Sequence, residues 1–199
     1  MATKLILFSG GLDSLCMTYL MLKDAVDNDI HIHHINITNV EGRAPAEASA
    51  VQQAIEYFKQ NGYPKFTYTE STVAAPNFGR SFMYDSDAVN FMAGYVCSMN
   101  PDIKEVAIGL NKSDTNGPNT TRIQKANQLL ALFTTATKIY PVKEYTKQEM
   151  YDLLPTELRD MFWSCRNPRY TEGVATACRH CYTCMQIQKL LLNQPILRP

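Results

Sequence analysis

The sequence predicts an α/β fold in which a parallel β-sheet is flanked by helices. Short apolar runs typical of buried strands alternate along the chain with longer stretches of helical periodicity. This alternation indicates βαβ units, whose strands pair in parallel. Polar loops follow the predicted strands at 9–14, 36–46, 74–84 and 110–120. Because ligands bind beyond the carboxyl ends of parallel strands, we expect these loops to meet at one rim and form a site there.

Each element is predicted from its own local pattern. Short apolar or alternating runs predict strands at 4–8, 30–37, 66–69, 105–110 and 139–142. Apolar residues at helical spacing predict helices at 13–23, 47–61, 85–99, 121–135, 146–153 and 185–192. Thr146, with Glu149 three residues later, is typical of a capping box. Segments 73–79, 112–118 and 166–177 are polar and contain Gly or Pro, so we expect loops there.

A glycine-rich turn at 9–14, Ser-Gly-Gly-Leu-Asp-Ser, joins the first strand to the first helix. Its two glycines permit a sharp turn that brings backbone N–H groups close to an anion, and the helix directs its positive end to the same place. The two serines add hydroxyl donors, and Asp13 is placed to hold a Mg2+ ion that bridges phosphates. The pattern therefore predicts an ATP site, although a surface turn with a helix N-cap would use similar residues. The predicted ATP contacts are Phe8, Ser9, Gly10, Gly11, Leu12, Asp13 and Ser14.

Charge and hydropathy narrow the class of protein. The 199 residues include 19 Lys and Arg against 19 Asp and Glu, so no net charge recruits nucleic acid or an anionic membrane. No apolar run approaches the roughly 20 residues of a membrane span, and the first residues lead directly into a strand without a signal-peptide pattern. We therefore expect a cytoplasmic protein that contacts neither a membrane nor nucleic acid directly.

Four of the six cysteines lie within twenty residues near the carboxyl end, at Cys165, Cys178, Cys181 and Cys184. Clustered cysteines in a cytosolic chain indicate metal ligands rather than disulfides. Four thiolates without a further ligand are typical of a structural Zn2+ site, and an iron–sulfur cluster is the alternative. Unrelated core thiols would be the remaining interpretation. We expect a small zinc-binding subdomain over 161–199, packed against a nucleotide-binding domain over 1–160.

The turn at 9–14 resembles the PP-loop of the N-type ATP pyrophosphatases. Together with the C-x12-C-x2-C-x2-C pattern, it resembles the 7-cyano-7-deazaguanine (preQ0) synthases, the QueC family, over nearly the whole chain. Segments 78–81, 108–118, 141–147 and 163–165 are also similar to motifs of that family. The chain departs from the family pattern at Ser81 and at 119–120, and it lacks the tyrosine that the family places before Pro118.

The resemblance implies an adenine nucleotide alpha hydrolase-like, Rossmann-like fold. It also implies an ATP-dependent ligase that uses Mg2+ and joins ammonia to 7-carboxy-7-deazaguanine, with a homodimer as the assembly. Asp13 and Ser14 would then act on ATP, Arg80 would clamp a carboxylate or phosphate, Asp114 would orient the base or amine, and Lys147 would meet phosphate. Each of the last three residues also has a purely structural alternative. Arg80 would form a surface salt bridge, Asp114 would be a turn residue, and Lys147 would be an exposed helix residue.

Three other functions are compatible with the same motifs. A related PP-loop enzyme would stop at the amide or adenylate a different carboxylate, as the altered segments at 81 and 119–120 indicate. A tRNA sulfurtransferase would need a basic RNA-binding surface and a catalytic cysteine, for which Cys16 lies near the turn. A nucleotide-binding module without chemistry would need neither Asp13 nor the metal site.

Overall fold

The computed structural model describes residues 3–27, 29–75, 85–115 and 120–192, and it has the predicted α/β architecture. The sheet strands are β1 (Thr3–Leu7), β2 (Ile30–Thr38), β3 (Thr67–Ala74), β4 (Ile103–Ala107) and β5 (Thr137–Ile139). All neighbours pair in parallel, in the order β3-β2-β1-β4-β5. Chain order therefore reverses between β1 and β4, which opens a crevice beyond their carboxyl ends.

The helices of the described chain cover both faces of this sheet. They are α1 (Leu12–Lys23), α2 (Ala44–Gln60), α3 (Asp85–Met99), α4 (Lys112–Thr115), α5 (Thr120–Ala131), α6 (Lys147–Leu153) and α7 (Tyr182–Leu192). A short 3-10 helix spans Thr156–Leu158. An antiparallel hairpin of β6 (Arg169–Thr171) and β7 (Val174–Thr176) lies outside the sheet.

The alternation of side chains along the strands divides the core into two layers. Ile6 of β1 packs in a core formed with α1, α2, α6 and α7. Leu5 and Leu7 point to the opposite layer, which contains residues of α3 and α5. Residues 30–35 of β2 are buried without interruption, as expected for a strand of a parallel sheet that is covered on both faces.

The structure corrects several predicted boundaries. β3 continues to Ala74 and pairs with β2 over eight residues, so the predicted loop at 73–79 begins too early. It is an edge strand of mostly polar residues, and such a strand lacks the apolar run that sequence analysis relies on. The prediction of a strand over 139–142 is wrong beyond Ile139, because a turn follows at Pro141. α2 begins three residues earlier than predicted, with Pro45 in its first turn.

The loop predictions at 112–118 and 166–177 are also corrected. The first contains α4, and the second contains the β6–β7 hairpin. This hairpin turns through Glu172 and Gly173, both at positive φ (51° and 81°). The capping box at Thr146 and Glu149 is confirmed, with both reciprocal hydrogen bonds present. Among the helices of the described ranges, none has the length and apolar character needed to cross a membrane.

Phe58 provides a test of the core. Its ring is fully buried between α2 and the sheet and packs edge-on against Tyr63. We expect Phe58→Ala to lower the free energy of unfolding by about 3–5 kcal/mol, because it removes buried apolar surface and leaves a cavity. Urea denaturation measures the loss. The neighbouring Lys59→Ala, at an exposed position of the same helix, should change stability by no more than about 0.5 kcal/mol. Equal losses in the two variants would contradict this packing.

Candidate active site

A cavity of about 310 Å3 opens at the crevice between β1 and β4. The loop after β1 supplies Ser9, Asp13 and Ser14 to its wall, and the segment after β4 supplies Gly109. Other parts of the wall come from β2, from the starts of α2 and α3, from the first residue of α6 and from the cysteine-rich segment. The site therefore lies where the strand order predicts it, at the rim of the sheet.

The turn at 9–14 has the backbone shape that anion binding requires. Gly10 has φ of 79°, and a Cβ atom there would lie 2.9 Å from the carbonyl oxygen of Glu47, so a side chain has no room. α1 begins directly after Gly11 without a side-chain cap, which leaves its first N–H groups available to an anion. The Ser14 hydroxyl lies 3.0 Å from the Ser9 hydroxyl and donates to the Gly11 carbonyl, so the turn is held in shape internally.

Phe8 and Leu12 of the predicted ATP contacts are buried apolar side chains that line the base of this cavity. The backbone of the turn is also fixed by its neighbours. A Cβ atom at Gly109 would lie 2.9 Å from the Ser14 nitrogen, so only glycine lets the end of β4 approach the start of α1 this closely.

Asp13 joins three distant parts of the chain. Lys147 Nζ donates to both of its carboxylate oxygens at 2.8 and 3.0 Å, and Asn111 Nδ2 donates to Oδ2 at 2.8 Å. Asn111 Nδ2 also donates to Asp114 Oδ2 at 2.7 Å. Burial raises the pKa of Asp114, the negative charge of Asp13 raises it further, and the Asn111 N–H and Lys147 lower it. Asp114 thus orients Asn111, which in turn holds Asp13.

The four predicted metal ligands are brought together. The Sγ atoms of Cys165, Cys178, Cys181 and Cys184 all lie within 4.8 Å of one another. The Cys178–Cys184 sulfur distance is 3.9 Å, which fits the roughly 3.8 Å edge of a tetrahedron with Zn–S bonds of about 2.3 Å. The backbone N–H groups of Cys178 and Cys181 donate to cluster sulfurs at 3.2 and 3.3 Å, as expected for thiolates that bind a metal.

Hydrogen bonding also favours the thiolate form at one ligand. Burial alone would raise the pKa of Cys181, but hydrogen bonds from neighbouring groups, backbone N–H donors among them, lower it to about 5. Thiolate ligands in a closed tetrahedral arrangement fit a structural Zn2+ ion, which would be held by all four cysteines.

The cysteine-rich segment is also a wall of the cavity. The backbone N–H of Trp163 donates to the Gly10 carbonyl at 2.8 Å, which attaches the segment to the turn at 9–14. Its indole N–H donates to the Cys165 carbonyl at 2.9 Å, and the Thr183 hydroxyl donates to the Ser164 carbonyl at 2.5 Å. Trp163, Ser164 and Thr183 all line the cavity. The metal site and the candidate active site are therefore one continuous structure.

A buried ion-pair cluster forms another part of the cavity wall. Arg43 contacts Glu41 at 2.7 Å, Glu47 at 2.5 Å and Asp85 at 2.6 Å. Arg166, directly after a metal ligand, contacts Glu41 at 3.0 Å and Asp85 at 3.2 Å. Burial raises the pKa of Glu47, and the adjacent guanidinium of Arg43 lowers it. We call these five residues the charge cluster.

The predicted catalytic residues differ in whether they line the cavity. Ser14, Asp13 and Lys147 line the cavity, whereas Asp114 does not and reaches Asp13 only through Asn111. Arg80 lies outside the described residues, as do 81 and the departure at 119. Sequence analysis missed the cavity-lining members of the charge cluster, although Glu41, Arg43 and Glu47 follow β2, at the rim where ligands were expected.

His33 of β2 also lines the cavity. It points to the opposite side of the sheet from His34, as expected for consecutive residues of a strand. Its ring contacts the hydroxyls of Thr69 and Ser71 at 2.7 and 2.9 Å. Burial, helped by His31 and His34, lowers its pKa to about 4, so the ring is neutral at physiological pH.

No protein-family model matches the sequence, and neither does any curated protein. Among solved structures, the fold is similar to that of the U34-tRNA thiolase NcsA from Methanococcus maripaludis, determined with its [4Fe-4S] cluster. The TM-score is 0.53 at 17% sequence identity, and the match covers 97% of this chain and 67% of the thiolase chain. The likeness shows that this chain shares the α/β fold of that structure, in agreement with the fold class that the sequence predicted.

The cysteine cluster leads to a test by metal analysis. We expect the purified protein to contain one Zn2+ ion per chain, measured by inductively coupled plasma mass spectrometry, because four thiolates enclose one tetrahedral position. Cys181→Ser should lose most of the metal. The matched control Cys97→Ser changes a cysteine of the opposite core layer and should keep it. Iron with visible charge-transfer absorption, in place of zinc, would identify an iron–sulfur cluster instead.

Proposed function

We propose that the protein is an ATP-dependent carbon–nitrogen ligase that converts 7-carboxy-7-deazaguanine and ammonia to 7-cyano-7-deazaguanine (preQ0). The observation that carries the proposal is one shared cavity. Its walls combine the turn at 9–14, the Asp13–Lys147 pair and the segment that carries the four cysteines. This combination matches the two motifs by which the sequence resembles preQ0 synthases.

ATP is the substrate that the turn at 9–14 suits best. The uncapped start of α1 and the Ser9 and Ser14 hydroxyls would bind the pyrophosphate portion. Lys147 would contribute a positive charge, since it already holds the carboxylate of Asp13 and can exchange that partner for a phosphate. Mg2+, held through the carboxylate of Asp13, would neutralise charge on the leaving pyrophosphate.

The chemistry requires two activations. A carboxylate oxygen of the acceptor attacks the α-phosphorus of ATP and pyrophosphate leaves, which gives an acyl adenylate. Ammonia then attacks the carbonyl carbon, AMP leaves and a proton is released, so the first product is the amide. The amide oxygen then attacks the α-phosphorus of a second ATP, and a second pyrophosphate leaves. Loss of AMP, with breakage of the C–O bond, and of the two N–H protons gives the nitrile. Aligning the reacting groups and stabilising the phosphate charge are the tasks of the cavity residues.

Transfer of sulfur to tRNA is the second candidate, and the similarity in fold to a U34-tRNA thiolase is the observation that favours it. Two features of this chain oppose it. Cys16, the cysteine nearest the turn, is fully buried, and burial with the charge of Asp13 raises its pKa to about 12, which makes it a poor nucleophile. The sequence also has no excess of positive charge for RNA.

Product analysis tests the proposal directly. We expect the protein, incubated with ATP, Mg2+, ammonium and 7-carboxy-7-deazaguanine, to form preQ0 together with AMP and pyrophosphate, measured by mass spectrometry. Asp13→Ala should abolish turnover because the carboxylate that positions Lys147 and Mg2+ is lost. Accumulation of the amide alone would assign the protein to a reaction that stops after one activation. Turnover that needs tRNA and a sulfur donor would favour the thiolase alternative.

Two lysine variants distinguish a catalytic role of Lys147 from the general effect of removing a positive charge. Lys147→Met should slow pyrophosphate release by about 10²–10³-fold, since it removes one preorganised charge at the reacting phosphates. Lys143→Met is the matched control: Lys143 precedes α6, is more than half exposed and pairs with Glu144 at 3.9 Å. It should leave the rate unchanged. Equal rates in Lys147→Met and the unmodified protein would remove Lys147 from the site.

A further inference from the structure

The charge cluster has more negative than positive groups. Three carboxylates, of Glu41, Glu47 and Asp85, surround the two guanidinium groups of Arg43 and Arg166. Among the described residues, the cluster therefore has one more negative than positive charge, in a partly buried position. The position of this negative charge determines which ligands this wall of the cavity can bind.

The contacts place the excess charge at Asp85. The side chains of Glu41 and Glu47 are only 9% and 11% exposed and are engaged by arginine, whereas that of Asp85 is 33% exposed and lines the cavity. Both arginines contact the same oxygen of Asp85, Oδ2, at 2.6 and 3.2 Å. Among the described ion pairs, Oδ1 is thus left to accept hydrogen bonds from a ligand.

The rest of the cavity wall restricts the ligand further. A phosphate would be repelled by Asp85, and a metal cation by the two guanidinium groups within 3.2 Å of it. A neutral group with adjacent N–H donors can hydrogen-bond to the carboxylate, and it is repelled neither by the carboxylate nor by the guanidinium groups. Trp163 and the half-exposed Arg166 line the same cavity, and both side chains stack well on planar rings.

We propose that Asp85 is a specificity-determining residue that accepts hydrogen bonds from the N–H edge of a planar 2-amino-pyrimidinone ring in the acceptor substrate. Arg43 and Arg166 hold the Asp85 carboxylate in place, and Glu41 and Glu47 hold Arg43. The acceptor then lies with its donor edge on the charge cluster and its reactive group toward Lys147 and the turn at 9–14, which line the same cavity. This inference rests on the proposed function for the placement of the reactive group, while the recognition of the donor edge can be tested separately.

A pair of unreactive probes tests the donor edge. 7-Deazaguanine and 7-deazahypoxanthine differ only in the exocyclic 2-amino group, and neither carries the carboxylate needed for turnover. Calorimetric titration of the zinc-loaded protein should show that 7-deazaguanine binds at least about tenfold more tightly, as expected for a hydrogen bond to a charged acceptor. Equal affinities, or no binding of either probe, would overturn the inference. Because these probes cannot react, a failure to make preQ0 would not alter this result.

Variants assign the preference to Asp85. In Asp85→Asn, the ratio of the two affinities should fall to within about threefold, because the amide cannot replace the charged acceptor. Asp87→Asn removes a carboxylate from the same first turn of α3, outside the cavity lining, and should keep the tenfold preference. Retention of the full preference in Asp85→Asn would refute the assignment.

A fold control accompanies the variants. Thermal unfolding identifies any loss of structure in Asp85→Asn, whose arginine partners lose an ion pair. If that variant does not fold, Asp85→Glu retains the charge but displaces the carboxylate, and a weakened preference in it would support the assignment. An unchanged preference in Asp85→Glu would contradict it.

Discussion

The hydrogen bonds to the Asp13 carboxylate are the interaction on which the candidate active site depends. They connect the start of α1 with Asn111, after β4, and with Lys147, at the start of α6. Each partner is itself fixed, since Asn111 is held by Asp114 and Lys147 begins a helix with a capping box. A single carboxylate thus sets the relative positions of the turn at 9–14 and the positive charge of Lys147 beside it. Such preorganisation matters because groups that are already in place need not be ordered during a reaction.

The cysteine-rich segment forms another wall of the same cavity. The metal ligands lie on a segment with little apolar packing of its own, and the cluster of sulfurs is its core. A bound ion would therefore supply folding free energy to the residues that contact the Gly10 carbonyl and close the cavity. A metal ion bound by all four cysteines would then act on the candidate active site through the shape of the cavity wall.

Local features were predictable from the sequence, and distant pairings were not. The strand, turn and helix at 4–23, the capping box and the cysteine cluster each depend on residues close together in the chain, so spacing alone identified them. Asn111 and Lys147 lie 98 and 134 residues from Asp13, and only the topology of the sheet brings them to it. The charge cluster combines the loop after β2, the start of α3 and the residue after Cys165, none of which carries a local signal. The β6–β7 hairpin was missed because its strands are three residues each and mostly exposed.

The attachment of Trp163 to Gly10 has a consequence for how the protein is made. The strands of the sheet and the turn at 9–14 are encoded by the first 140 residues, whereas the wall that contains Trp163, Arg166 and Thr183 is translated later. During synthesis the turn at 9–14 therefore emerges well before its contact Trp163, and this side of the cavity is completed only when the cysteine-rich segment has emerged. Metal supply at that last step would then decide which nascent chains complete their cavity.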